Sequence, residues 1–279
     1  MDLSKHNLVG KLPNSIGSFS SIKVLNLGTN KLFGSNLHMM GNVFSKLTNL
    51  QNLTLEKNEF SGQVPFNALT VISNLLQLHL NENFFVGSIP SFISNFKKLQ
   101  LLKIRGNANI NGSIPSEFGE LTTLLEVHLS NNSISGSLPS SIQKLSTLTY
   151  LSIRNNRLTG TIPTYFGTFT RLEQFSPYDN AFVGTIPTEL GDMKSLSYLY
   201  LQSNYLVGPI PSTLGNLHKL ERLLVFNNSL VKGIPPSLGK LSKLDILEMH
   251  NNSLTGPIPD ELSNNVNLTV IDLSNNDFS

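Results

Sequence analysis

A repeat of about 24 residues runs along the whole chain and restricts its fold more than any other feature of the sequence. Residues 129–153 read LSNNSISGSLPSSIQKLSTLTYLSI, and residues 153–177 read IRNNRLTGTIPTYFGTFTRLEQFSP, so the two segments share their apolar, Asn, Gly and Pro positions. Self-similarity at this period is typical of a solenoid, in which each repeat buries its apolar face against its neighbours. We therefore expect one repeat domain over residues 1–279.

One position of the repeat, three residues after the second strand leucine, is Asn in eleven of about twelve turns, and the first turn has His6 there. A side-chain amide both donates and accepts hydrogen bonds, so these residues are predicted to satisfy main-chain groups where the chain leaves the sheet. This asparagine ladder consists of Asn30, Asn58, Asn83, Asn107, Asn132, Asn156, Asn180, Asn204, Asn228, Asn252 and Asn276.

The template LxxLxLxxNxLxGxIPxx(L/I)GxL assigns a local structure to each part of the repeat. Its LxL pair, such as Leu199 and Leu201, alternates in and out and predicts a short strand that stacks on the next repeat at ~4.8 Å in a parallel sheet. The glycine of the LxG segment, as in Gly208, permits a sharp or positive-φ bend, and the proline that follows cannot extend a hydrogen-bond ladder. The (L/I)GxL segment favours a short helical turn on the opposite, convex side.

The segments LTGTIP at 158–163, LVGPIP at 206–211 and LTGPIP at 254–259 resemble the plant-type subclass of the leucine-rich repeat family. The resemblance implies an α/β solenoid: a right-handed, twisted horseshoe with a concave parallel β-sheet, and with 3₁₀ turns and additional short strands at the LxGxIP segments on its convex side. Members are typically extracellular recognition modules, among them ectodomains of receptor-like kinases, receptor-like proteins and secreted inhibitors. It also implies a protein or peptide ligand on the concave face and a co-receptor as a further partner.

Three repeats depart from the template. Repeat two has extra residues in the segment SNLHMMGNVF at 35–44, where we expect a bulged convex loop, and repeat five has one extra residue before Gly112. Repeat eight has Pro177 in place of its second strand leucine, and this residue is predicted to weaken the pairing of its strand.

The family usually closes both ends of its solenoid with Cys-containing caps, and this sequence has no Cys. Solenoid ends need such caps to cover the last exposed core. We therefore expect a fragment of a longer chain that lacks both caps. The alternative is a complete protein whose ends are covered by a partner or by self-association.

Composition excludes several classes of function. Charged residues make up 14% of the chain, against roughly 25% in an ordinary domain, and the net charge is +2. Without a face rich in Lys and Arg, a nucleic-acid partner is not expected. No apolar run approaches the ~18–20 residues that span a bilayer, so this chain is not expected to insert into a membrane.

The sequence contains no constellation that indicates catalysis. Motifs for phosphate, dinucleotide, metalloprotease, serine hydrolase and kinase chemistry are all missing, so neither an enzyme nor a cofactor is expected in this chain. The best candidate metal ligands, His79 and His128, lie two repeats apart with Lys103 between them. We expect no metal there, since stacked strands would separate the histidines by ~10 Å.

Outward-facing strand positions become rich in Tyr and Arg in repeats seven to ten. Both residue types are favoured at the energetic centres of protein interfaces, and an exposed aromatic patch often marks a binding site. Alternatively, the aromatic rings stack across strands and stabilise only the sheet. The predicted partner-binding residues are Tyr150, Arg154, Arg157, Tyr178, Tyr198, Tyr200, Gln202, Tyr205, Arg222 and Phe226.

Arg154 and Arg157 are similar to the paired basic residues with which some peptide receptors hold a peptide carboxylate. A solvated pair of surface charges would give the same sequence pattern. The ligand's identity therefore stays open at the level of sequence.

Three functions remain compatible with these patterns. The first is recognition of a protein or peptide by a cell-surface receptor or receptor-like signalling protein, outside the cell. The others are a cytoplasmic repeat scaffold, favoured by the missing signal peptide and Cys, and a secreted inhibitor of a hydrolase. Six N-x-S/T sequons are candidate glycosylation sites, but composition alone predicts as many, so they do not establish secretion. They are Asn52, Asn111, Asn131, Asn227, Asn251 and Asn267.

Overall fold

The computed structural model describes residues 1–35 and 43–279, which form two compact units, Met1–Ser135 and Gly136–Ser279. The bulge predicted within residues 35–44 falls mainly on residues 36–42, which lie outside the described residues. Each unit is built from the same repeated elements, and the two are described separately below.

The first unit contains two series of short parallel strands, one at the LxL segments and one at the LxG segments. The even-numbered LxL strands pair in sequence order, each with the next. The strands are β1 (Val9–Gly10), β2 (Val24–Asn26), β3 (Lys31–Gly34), β4 (Asn52–Thr54), β5 (Glu59–Gln63), β6 (Gln77–His79), β7 (Phe84–Ser88), β8 (Leu101–Lys103), β9 (Asn109–Asn111) and β10 (Glu126–His128).

The second unit repeats this arrangement, and its even-numbered strands from β12 to β22 again pair in parallel and in sequence order. After β11 (Ser135–Gly136), which begins at the last residue of the first unit, the strands are β12 (Tyr150–Ser152), β13 (Arg157–Leu158), β14 (Gln174–Ser176), β15 (Val183–Thr185), β16 (Tyr198–Tyr200), β17 (Tyr205–Gly208), β18 (Arg222–Leu224), β19 (Ser229–Lys232), β20 (Ile246–Glu248), β21 (Ser253–Gly256), β22 (Val270–Asp272) and β23 (Asp277–Phe278).

Short helices follow the proline of nearly every repeat, because proline fixes an extended φ and leaves no N–H unsatisfied at the helix start. Pro163, for example, has φ −70° and ψ 142° immediately before a 3₁₀ turn. The 3₁₀ helices are η1 (Asn14–Ser18), η2 (Ser91–Asn95), η3 (Ser116–Glu120), η4 (Ser140–Lys144), η5 (Thr164–Thr168), η6 (Thr188–Asp192), η7 (Ser212–Asn216), η8 (Pro236–Lys240) and η9 (Asp260–Asn264), and one α-helical turn is α1 (Phe66–Leu69). These elements confirm the predicted parallel sheet, the extra strands at LxGxIP and the 3₁₀ turns.

The core of each unit lies between the LxL sheet and the short helices. In repeat nine, Leu199, Leu201 and Leu206 are completely buried. Phe166 and Phe175 stack in the neighbouring repeats with ring centroids 4.4 Å apart. The leucines of the template are therefore core residues, and the residues between them are left to face away from the core.

Asn204 illustrates how a ladder asparagine stabilises the turn by which the chain leaves the sheet. Its Nδ2 donates to the carbonyls of Pro177, Leu201 and Gln202 at 3.1–3.3 Å. Its Oδ1 accepts the N–H of Phe182, 3.1 Å away in the preceding repeat. One buried amide thus satisfies main-chain groups of two successive repeats, which an apolar side chain would leave unpaired.

The two glycines of the template have different physical roles. Gly208 lies at φ +76°, so the predicted positive-φ bend at the LxG position is confirmed. Gly215, in the LGxL segment, is needed for space instead, because a Cβ built on it would lie 2.4 Å from the carbonyl oxygen of Ser237 in the next coil. The spacing of successive short helices therefore depends on this second glycine.

Candidate functional site

Five neighbouring strands of the second unit, β12, β14, β16, β18 and β20, expose a grid of side chains on the sheet face opposite the core. Each repeat contributes three outward positions: one before, one between and one after its two strand core residues. In order, these are Tyr150, Ser152, Arg154; Gln174, Ser176, Tyr178; Tyr198, Tyr200, Gln202; Arg222, Leu224, Phe226; and Ile246, Glu248, His250.

Twelve of these fifteen residues line one open cavity of about 440 Å³, a volume typical of ligand pockets. Ser152 and Ser176 are buried at its inner surface, at the strand position where the next two repeats have Tyr200 and Leu224. Because two small side chains lie beside larger ones, the sheet surface is recessed there. The complete lining is Tyr150, Ser152, Arg154, Gln174, Ser176, Tyr178, Tyr200, Gln202, Arg222, Leu224, Ile246 and Glu248.

The two arginines of the cavity are oriented by tyrosines. Arg154 donates to the hydroxyl of Tyr178, and its guanidinium carbon lies 5.3 Å from the centre of that ring. The guanidinium carbon of Arg222 lies 5.7 Å from the centre of the Tyr198 ring. Such cation–π contacts position the charge without neutralising it. Among the described residues neither arginine pairs with a carboxylate, so both charges are available to a ligand.

Tyrosine rings form a continuous aromatic surface across β16 and its neighbour. Tyr200 packs edge-on against Tyr178 at 6.1 Å and stacks on Tyr198 at 6.2 Å. Burial raises the pKa of Tyr200, and a hydrogen bond to Glu221 at 2.9 Å raises the pKa of Tyr198. Both hydroxyls are therefore protonated at neutral pH, and that of Tyr198 donates its proton to Glu221.

Gln202 is the unusual polar residue of the cavity. It is only 7% exposed, and its Oε1 has no hydrogen-bond partner in the part of the chain that the structure describes. Unpaired polar atoms in buried positions are rare, because they forgo water without gaining a protein partner.

Pro177 shortens the strand pairing next to Gln202, as the sequence predicts. The strands β14 and β16 are in register at two positions, whereas β12 and β14 are in register at three. In a regular repeat, the residue at the position of Pro177 donates its main-chain N–H to the following strand. Leu201, which occupies this position in the next repeat, donates to the Leu224 carbonyl at 2.8 Å. Pro177 has no N–H, so the Tyr200 carbonyl loses this donor.

Six of the ten predicted partner-binding residues line the cavity, namely Tyr150, Arg154, Tyr178, Tyr200, Gln202 and Arg222. The other four lie outside it. Tyr198 is on the same face, and Phe226 is stacked on His250 at 4.3 Å. Arg157 and Tyr205 belong to the LxG strands β13 and β17, so Arg154 and Arg157 are not brought together in the cavity.

The predicted set left out six lining residues, Ser152, Gln174, Ser176, Leu224, Ile246 and Glu248. They occupy the same outward template positions as the tyrosines, and this was the available signal. Selection by residue type favoured Tyr and Arg and passed over the small and neutral side chains that shape the recess.

In the first unit the two histidines considered as metal ligands are separated by Lys103, since His79, Lys103 and His128 are in register on adjacent strands. His79 lies 3.8 Å from Glu56, and His128 lies 3.1 Å from Glu126. Across residues 1–35 and 43–279, three or more His, Asp or Glu side chains nowhere come together as a metal site. Over the same residues, the structure has no helix with the length and apolar content needed to cross a bilayer.

Comparison with known families matches the repeats directly. The leucine-rich repeat domain of the EGF-like domain-containing protein ComC matches residues 88–194. The Leucine Rich Repeat family matches residues 195–217, 219–241 and 243–265. A comparison with curated proteins gives no match.

Solved structures of plant receptors are similar over nearly the whole chain. The plant peptide hormone receptor RGFR1 in complex with RGF2 is 32% identical with a TM-score of 0.84, and the alignment covers 99% of this chain and 47% of that one. PEPR1–AtPEP1 is 32% identical with a TM-score of 0.86, covering 99% and 42%. The Arabidopsis receptor kinase HAESA in complex with the peptide hormone IDA and the co-receptor SERK1 is 29% identical with a TM-score of 0.77, covering 99% and 53%. This chain thus spans about half the length of these receptors.

Proposed function

This chain belongs to the leucine-rich repeat family, and on that premise we propose that it recognises a peptide ligand with the outward face of β12–β20. The observation that carries the proposal is the cavity of about 440 Å³, in which three tyrosines and two unneutralised arginines converge. Tyrosine offers a large contact area at little entropic cost, and arginine offers several donors to carboxylates and carbonyls. A recess of this size accommodates one or two side chains of an extended peptide.

The setting that fits this proposal is the ectodomain of a cell-surface receptor or receptor-like signalling protein, with residues 1–279 acting within a single repeat domain. The support is the likeness to RGFR1, PEPR1 and HAESA. HAESA is described in complex with a co-receptor as well as a peptide hormone, so a co-receptor partner is part of the proposal. The likeness to receptors described with peptide hormones favours this function over a cytoplasmic scaffold or a hydrolase inhibitor.

An extracellular location is also proposed, and secretion of the full-length gene product tests it. Asn227 and Asn251 are exposed sequon residues on the turns beside the cavity. Secretion with a mass that falls on enzymatic removal of N-glycans would support the location. Retention of an unglycosylated product in the cytoplasm would contradict it.

We expect Tyr200→Ala to weaken peptide binding by about thirtyfold or more, as expected for a buried aromatic anchor at the centre of an interface. The probe is a set of peptides selected from phage-displayed random dodecapeptides on the full chain, with affinities measured by calorimetry. Tyr205→Ala is the matched control, because Tyr205 is 65% exposed and lies on β17 outside the cavity. If selected peptides bind both variants like the wild type, or none is selected, the proposed function is wrong.

A further inference from the structure

The cavity contains a buried amide with unused hydrogen-bonding capacity. Gln202 lines the cavity, is 7% exposed, and its Oε1 has no partner among the described residues. Its Nε2 makes no hydrogen bond within the same described region and, unlike Oε1, is not fully covered. An apolar side chain would fill this position without leaving any polar atom unpaired, as Phe226 does at the same position of the next repeat. The unpaired Oε1 therefore destabilises the unliganded protein, and a bound donor would offset that cost.

The neighbouring residues leave that amide available to a ligand. Gln174, the other glutamine of the cavity, already donates from its Nε2 to Ser176 at 2.9 Å and to Tyr150 at 3.3 Å. Tyr178 occupies the same outward position as Gln202 in the preceding repeat, and its hydroxyl accepts from Arg154. Tyr200, two residues before Gln202, packs against the Tyr178 ring. The side chains around Gln202 are thus occupied in mutual contacts, whereas its own amide is not.

The charge of the cavity narrows the chemistry of the group that would bind. Its lining has two arginines against one carboxylate, Glu248, so a cationic donor such as a lysine side chain is disfavoured. A carboxylate would be attracted by Arg154 and Arg222, but it carries no proton to donate to Oε1. A neutral group that both donates and accepts hydrogen bonds is complementary to Gln202. A primary carboxamide can form two hydrogen bonds at once, one with Oε1 and one with Nε2.

We propose that Gln202 forms a subsite for the side-chain carboxamide of an Asn or Gln in the peptide ligand. On binding, the terminal amide of Gln202 turns so that Oε1, which is covered in the unliganded chain, accepts an N–H of that carboxamide while Nε2 donates to its oxygen. This inference rests on the proposed peptide-binding function and names the residue type that the cavity selects. Discrimination is strong at such a site, because a ligand without the amide leaves the buried glutamine unpaired.

A selection experiment tests the subsite with the full chain and phage-displayed random dodecapeptides. Peptides whose binding depends on Tyr200 are expected to share Asn or Gln at one position. Replacing that residue of the peptide by Leu should weaken binding to the wild type by about tenfold or more. The same replacement should change binding to Gln202→Leu by less than about twofold, because the two groups act as a pair.

Gln143→Leu is the matched control, since Gln143 is exposed on η4 and does not line the cavity. It should select the same peptides as the wild type. Gln202→Leu should also melt at the same or a higher temperature than the wild type, because it removes an unpaired buried acceptor. A role of Gln202 in folding alone would instead lower its melting temperature and leave peptide preference unchanged.

The possible outcomes distinguish the carboxamide subsite at Gln202 from peptide recognition by the cavity as a whole. Tyr200-dependent peptides without a shared Asn or Gln, or equal selection by Gln202→Leu, would overturn the carboxamide subsite while leaving peptide recognition in place. Failure to select any Tyr200-dependent peptide would overturn both. Selection of a shared Asn or Gln that is lost in Gln202→Leu and kept in Gln143→Leu supports the subsite.

Discussion

Replacing Gly215 with alanine is expected to lower the free energy of unfolding by about 3 kcal/mol, the range found when a packed interior is forced to accept an extra carbon. An ideal Cβ on Gly215 would lie 2.4 Å from the carbonyl oxygen of Ser237 and 2.7 Å from its Cβ. The contacted carbonyl is main chain and belongs to the next coil, so no side-chain rotation relieves the overlap. The short helices η7 and η8 would have to move apart, and the strain would extend to both repeats.

Gly233→Ala is the matched control for this prediction. Its Cβ would meet only the Thr255 carbonyl oxygen at 3.4 Å, an ordinary contact. We expect it to be neutral or to stabilise by up to about 1 kcal/mol through the unfolded chain. Urea unfolding of the two variants measures the difference. Equal midpoints for Gly215→Ala and Gly233→Ala would show that close coil packing does not require the second glycine.

Asn204→Ala is expected to have a comparable effect, a loss of about 3 kcal/mol or more. The substitution leaves the Phe182 N–H and the Pro177 and Leu201 carbonyls without the amide that now pairs with them, at 3.1–3.3 Å. Each buried polar group left unpaired costs ~1–3 kcal/mol. Since Asn204 joins two successive repeats, the loss should appear as reduced cooperativity as well as a lower unfolding midpoint.

Asn216→Ala provides the comparison, because Asn216 is an exposed residue at the end of η7 in the same repeat. A surface substitution of this kind is expected to change stability by no more than about 0.5 kcal/mol. The account of the asparagine ladder would be contradicted if the two variants unfolded at the same urea concentration.

Much of the fold could be predicted because the residue type at most template positions indicates its structural role. The LxL pair, the ladder asparagine and the positive-φ glycine each follow from local chemistry that the sequence displays in nearly every repeat. The reason for the LGxL glycine could not be found in the same way. Gly215 has no positive φ, and its requirement comes from a carbonyl of the following coil that only the packed structure places nearby.

The paired asparagines of the repeats show a similar limit to what the sequence alone can predict. The first Asn of several NN pairs, including Asn227 and Asn251, lies in the left-handed region at φ 51° and 54°. Asn tolerates this conformation better than most residues, which explains the NNS segments without reference to glycosylation. The sequence displays the pairs, but the ladder position alone does not indicate that the preceding residue has a positive φ.

For the candidate site, the template predicted which side chains face outward but could not predict the recess. That recess depends on Ser152 and Ser176 lying beside Tyr200 and Leu224, a contrast in size between adjacent strands. The unpaired amide of Gln202 was also beyond sequence reasoning, because the absence of a partner depends on where every neighbouring polar atom lies. Residue type identified six lining residues, and geometry identified the rest.

The central claim is that the outward face of β12–β20 binds a peptide, and a crystal structure of the full chain with a selected peptide tests it most directly. We expect the peptide to contact Tyr200 and Arg222 in the cavity, with an Asn or Gln side chain of the peptide against Gln202. A peptide bound to the short helices, to the LxG strands or to the unit Met1–Ser135, with the cavity left empty, would contradict the account.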